Sequence, residues 1–142
     1  MKTLALANGD LVVGANGHTT TTGHAKIRQD LALALGEPLG NDRFHLEWGS
    51  VLPTYIGQPM DEETNMLVKA EVARIIDQQM AIQQREITRD ANGGIPSRHN
   101  TADVIAQVLG ITAEVLYDRI KVTVGLVTMA GVRVNISRTV NI

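Results

Sequence analysis

Ile120-Lys121-Val122-Thr123-Val124-Gly125-Leu126 alternates apolar residues with polar or small ones. After Ala130-Gly131 the alternation returns as Val132-Arg133-Val134-Asn135-Ile136-Ser137. A period of two marks a half-buried strand, and a glycine turn between two such runs makes an antiparallel hairpin. Val140 and Ile142 keep the parity of the second run to the last residue. A strand placed there presents an open edge unless something covers it, and neither proline nor charge follows Arg138. Two readings stand level: a strand central in its own sheet, or one that pairs with a partner chain.

Upstream, Asn8-Gly9 between Thr3–Ala7 and Asp10–Val13 signals a tight hairpin. Gly14-Ala15-Asn16-Gly17 is a second turn, and 19–22 reads as an edge strand or a loop. Gly23 to Leu35 is expected as a helix with Thr22 as N-cap and a stripe of Ile27, Leu31, Ala34 and Leu35. Gly36 and Pro38 end it. Residues 37–60 are irregular but hold Phe44, Trp48 and Tyr55, too much apolar area for a solvated linker. The segment therefore packs back on the domain or docks on a partner. Asp61 caps a second helix to about Ile82, whose core stripe is Val68, Val72, Ile75 and Ile76. Glu71 and Arg74 are expected to pair on its exposed side. Gln83 to Thr88 reads as a short strand, Asp90 to Gly94 as a turn, and Ala102 to Leu109 as a third helix between Thr101 and Gly110. The sum is an α+β fold. Two main helices pack on a small, mostly antiparallel sheet, with an N-terminal hairpin, a long C-terminal hairpin and an inserted short third helix.

Composition bounds the function. The 142 residues favour one domain, 1–142. They are 44% hydrophobic, 20% charged and 3% aromatic, with a formal net charge of -2. That balance argues against nucleic acid as a partner held by bulk positive charge. No apolar run approaches the ~20 residues of a membrane span, and the start reads as mature protein rather than a signal segment. With no cysteine, disulfides and thiolate chemistry are excluded. His18, His24, His45 and His99 have no metal-ligand spacing, and no glycine-rich phosphate loop or nucleophile elbow is present. No cofactor, metal or catalytic residue is assigned. Glu37, Asp42 and Glu47 form a loose acidic trio for which solvated loop acids are the simpler reading.

The order of features resembles the baseplate wedge proteins of contractile phage tails, a family that includes the sheath initiator and baseplate protein W. The resemblance is carried by the hairpin around Asn8-Gly9-Asp10 and by Lys26-Ile27-Arg28-Gln29-Asp30-Leu31 closing on Leu35-Gly36-Glu37. Trp48-Gly49, Tyr55-Ile56-Gly57 and the long helix from Asp61 follow. It covers residues 1 to about 88 well and the final strands loosely. Where the family commonly shows Glu-Pro-Arg, this chain has Gln83-Gln84-Arg85, so only Arg85 is retained. Residues 89–115 look like an insertion.

The resemblance implies a non-enzymatic virion protein of the tail baseplate, assembled in the host cytoplasm in several copies in a ring. Its implied partners are wedge proteins and tail sheath subunits, and its implied task is to start sheath polymerisation by strand pairing. Val132, Val134, Ile136, Val140 and Ile142, with Arg85 and Trp48, are the expected interface residues. Deleting 135–142 is expected to leave the domain folded while stopping assembly. The rivals are a small lysozyme-like enzyme using Glu37 or Glu47, a label some family members carry, and a tail assembly chaperone.

Overall fold

The computed structural model describes residues 2–8 and 10–141. Gly9 and Ile142, named above for a turn and for the interface, lie outside them. The β-rich end forms a three-stranded antiparallel sheet in sequence order: β7 (Ile105–Val115), β8 (Arg119–Thr128) and β9 (Arg133–Asn141). Ile120, Val122, Val124 and Leu126 of β8 and Val134, Ile136 and Val140 of β9 are buried on one face. Against that face pack α1 (Gly23–Gly36) and α2 (Glu62–Asn92). Ile27, Leu31, Ala34 and Leu35 of α1 and Val68, Val72, Ile75 and Ile76 of α2 fill the core, as the helical spacing predicts. The expected α+β layering therefore stands, with β8 as the central strand.

The third helix does not form. Residues 101–103 are a turn, and 105–115 are β7. Two register shifts, between Ile105 and Gln107 and between Val108 and Gly110, break the two-residue alternation. The inward side chains are consequently Ile105, Val108, Ile111, Ala113 and Val115, spaced three, three, two and two apart. The first half of that pattern imitates a helix, although Val, Ile and Thr prefer a pleated surface.

Nor is Gln83–Thr88 a strand, or Asp90 the start of a turn. α2 runs 31 residues to Asn92, roughly 46 Å, and only then turns at Gly93-Gly94. Its buried stripe continues past Ile76 in polar form, with Gln83 and Asp90 both buried. The Gln83 amide donates to the Asp103 carbonyl (2.8 Å) and accepts from the Ile105 amide (3.0 Å). Asp90 takes the Arg98 backbone amide at 3.0 Å and the Arg98 guanidinium at 2.7 Å. Arg98's bonds to the Asp90 side chain, from guanidinium and backbone, hold that carboxyl down to about 2.

The N-terminal segment forms three two-residue ribbons. These are β1 (Thr3–Leu4) with β6 (Thr20–Thr21), β2 (Leu6–Ala7) with β3 (Asp10–Leu11), and β4 (Val13–Gly14) with β5 (Gly17–His18). They meet where Ala5, Val12 and Thr19, seven residues apart, close a ring of backbone bonds. Ala5 donates to Thr19 (2.7 Å), Thr19 to Val12 (2.9 Å) and Val12 to Ala5 (3.0 Å). Gln29 of α1 anchors this hub, accepting from the Leu6 amide (2.9 Å) and donating to the Leu4 carbonyl (2.8 Å). Thr22 occupies the N-cap position of α1 without a side-chain cap bond; Asp103 instead accepts from the Gly23 amide. Asp61 does cap α2, taking the Thr64 amide at 2.8 Å.

The irregular segment folds back on α2. Leu52 is fully buried, while Trp48 and Tyr55 pack half-buried on the core. The Glu71–Arg74 pair forms, but Glu71 is buried rather than exposed. Its carboxylate takes two Arg74 nitrogens (2.7 and 2.8 Å) and the Val51 amide (3.0 Å), and Arg74 also donates to the Gly49 carbonyl (2.9 Å). Burial pushes the Glu71 carboxyl up, yet the bonds from Arg74 and Val51 outweigh it and leave it below the ordinary range. At Gly49 (φ 106°) a Cβ would stand 2.7 Å from the Glu37 carbonyl, so no other residue fits this crossing.

Candidate interaction site

The two outer strands of the sheet differ at their free edges. β7 is twice irregular, and α2 lies along it: the Asn65 side chain donates to the Ala113 carbonyl at 2.7 Å, and Gln83 holds its first residue. β9 runs in unbroken register with β8 from Val127↔Arg133 to Arg119↔Asn141. Among the described residues no strand pairs with its other side. An edge of this kind is a template for another extended chain.

Next to this edge is an open groove of about 920 Å³. Asn135 to Arg138 of β9 form one wall. The exposed flank of α1, with Arg28, Ala32 and Leu33, forms another, and the N-terminal ribbon closes the side. Gln29 fixes the ribbon to the helix, so the walls are held together by the side chain that also lines the groove. Arg138 shares the core-side parity of Ile136 and Val140 but is exposed. Its terminal nitrogen would lie 3.1 Å from a Cβ placed on Gly36, over the last turn of α1. A cation there faces the negative end of the helix dipole, and α1 has no basic residue of its own in that turn.

The expected interface residues fall into two places. Val134, Ile136 and Val140 point into the chain's own core, at 3–4% exposure, so β9 offers a partner its backbone edge rather than these side chains. Deleting 135–142 would therefore strip Ile136 and Val140 from the core, and the expectation that the domain survives this loss is corrected. Val132 is exposed beside the Gly131 turn. Trp48 and Arg85 come together in a second groove, of about 670 Å³, with His45, Glu47, Glu86 and Arg89. Behind His45, outside the lining of the groove, the Asp42 carboxyl is held below its usual range by the His45 ring (3.0 Å) and then by the Phe44 amide. Glu86 contacts the buried His99 ring through Nε2.

Of the two acids named for hydrolysis, Glu47 lines this second groove and Glu37 does not; Glu37 accepts from Asn41. Among the described residues no group of three or more His, Asp or Glu side chains is placed to hold a metal ion, and no helix is long and apolar enough to cross a membrane. The α1–β9 groove was not legible beforehand, since it joins residues more than a hundred positions apart. The only sequence signal was the cation breaking the β9 alternation at 138.

No protein-family model matches the chain, and no curated protein sequence does. The fold is similar to that of the crystal structure of a "putative tail lysozyme" from Geobacter sulfurreducens. The TM-score is 0.57 at 12% identity, over 94% of this chain and 96% of that one. At that identity the likeness shows a shared fold, which includes residues on both sides of the suspected insertion at 89–115. In this chain those residues complete α2 and build β7.

Proposed function

We propose that this chain is a structural connector of a contractile phage tail, of the baseplate wedge and sheath-initiator kind, that receives an extended strand of a sheath subunit on β9. One observation carries the reading: among the described residues β9 is a regular, unpaired edge flanked by a ready-made groove, while the opposite edge is blunted by bulges and by α2. Strand addition gives affinity through backbone bonds and takes its register from the side chains beside the edge. The tail setting is supported by the ordered features of residues 1–88 and by the fold likeness to a protein named for a tail. Trp48 and Arg85, sharing one groove, are the proposed contact with wedge proteins. Catalysis is not part of the proposal: Glu86 is engaged by His99, and Glu37 lies outside the groove that holds Glu47.

Hydrogen exchange tests it. In purified particles the chain should be present, and amides within 135–141 should exchange far more slowly than in the free protein. Particles assembled without the chain should have tubes but no sheath. Unprotected β9 amides in the particle would overturn strand addition. Absence from the finished particle would favour the chaperone reading. Clearing of cell walls by the pure protein, abolished by Glu47→Gln, would favour the enzyme.

A further inference from the structure

We infer that the groove between α1 and β9 selects an extended segment that is acidic. The inference rests on the strand-addition reading and adds the chemistry of the incoming strand. Two arginines, Arg28 and Arg138, line the groove, and no Asp or Glu does. Among the described residues neither arginine makes a hydrogen bond or ion pair with a side chain, and both are exposed. The same wall of α1 carries Ala32 and Leu33, with Leu33 40% exposed, so an incoming strand meets apolar surface as well as the two cations.

The position of Arg138 explains why charge decides entry. It sits on the core-side parity between Ile136 and Val140, where a charged side chain discourages indiscriminate pairing along an edge. A neutral or basic strand laid on β9 has to take water from that guanidinium without replacing it. A strand with a carboxylate at that register replaces the water by a charge-assisted bond. The same residue thus repels wrong strands and rewards the right one, which is how specificity is built from a penalty. Arg28 lies on the opposite wall and reads a second acid.

The test uses the full chain, isotope-labelled, with three blocked eight-residue peptides that alternate valine with glutamate, glutamine or lysine. The glutamate peptide should shift the amides of 135–138 and of Arg28 and Ala32. It should bind about fivefold tighter than the glutamine peptide, with the lysine peptide weakest. Arg28→Glu, a change at an exposed side chain, should keep the amide spectrum dispersed and move the preference from glutamate toward lysine. Equal binding of all three peptides at β9 would overturn the acidic selection and leave strand addition standing. No shift at β9 with any peptide would overturn both. Self-association of the free chain through 135–138, relieved by Arg28→Glu, would make the occupant a second copy and overturn the inference as stated.

Discussion

β7 and β9 are the outer strands of one sheet, yet their edges are treated differently. β7 is bent by two register shifts and held by Asn65 and Gln83 of α2, so its free groups are partly satisfied within the chain. β9 keeps full register with β8, is packed by α1 and by the turn at 52–55, and carries Arg138 on its core-side parity. A domain that blunts one edge with its longest helix and leaves the other regular has a polarity: one side is finished, and the other is available.

The comparison is most easily broken through the core side chains of β9. Ile136→Ala should cost about 3 kcal/mol in urea unfolding, whereas Thr139→Ala, exposed on the same strand, should stay within about 0.5 kcal/mol. Equal small effects would mean that β9 is not held by its own core. Gln83→Ala should cost about 2 kcal/mol, since it leaves the Asp103 carbonyl and Ile105 amide buried without this partner. Amide exchange should quicken at the start of β7 and not in β9. Asn65→Ala should cost about 1 kcal/mol and speed exchange around Ala113. If it also induced association through β7, the helix would be shown to act as the guard of that edge.

The last expected effect is on pH dependence. Asp90 has its folded value depressed to about 2 from 3.8, so its contribution is full above the unfolded value. The contribution is lost as pH falls from about 4 toward 2. Asp90→Asn should lower stability at neutral pH and flatten the acid decline in that window. An unchanged acid limb would mean that Arg98 does not hold the β7 approach through this carboxylate.

The two edges also differ in how openly the sequence displays them. The β8–β9 hairpin follows from Ile120 to Ile136 because an unbulged strand displays its period of two openly. β7 hides because its bulges respace Ile105, Val108 and Ile111 into a helix-like triplet. The last third of α2 hides because its inward residues, Gln83 and Asp90, are polar and look like surface until their partners at 98–105 are in place. Trp48 and Arg85, far apart in the sequence, line one groove. The charge on the β9 groove needed Arg28 and Arg138 to be brought together, which only the folded chain does.

The ring of bonds through Ala5, Val12 and Thr19 has a practical consequence. Each ribbon leaving it is self-contained, and Val13 at the base of the β4–β5 arm is 69% exposed. The Ala15-Asn16 tip is therefore a place for an inserted epitope or dye, attached to the hub yet absent from both grooves. A probe carried there would report on the chain while leaving both grooves and the outer edge of β9 uncovered.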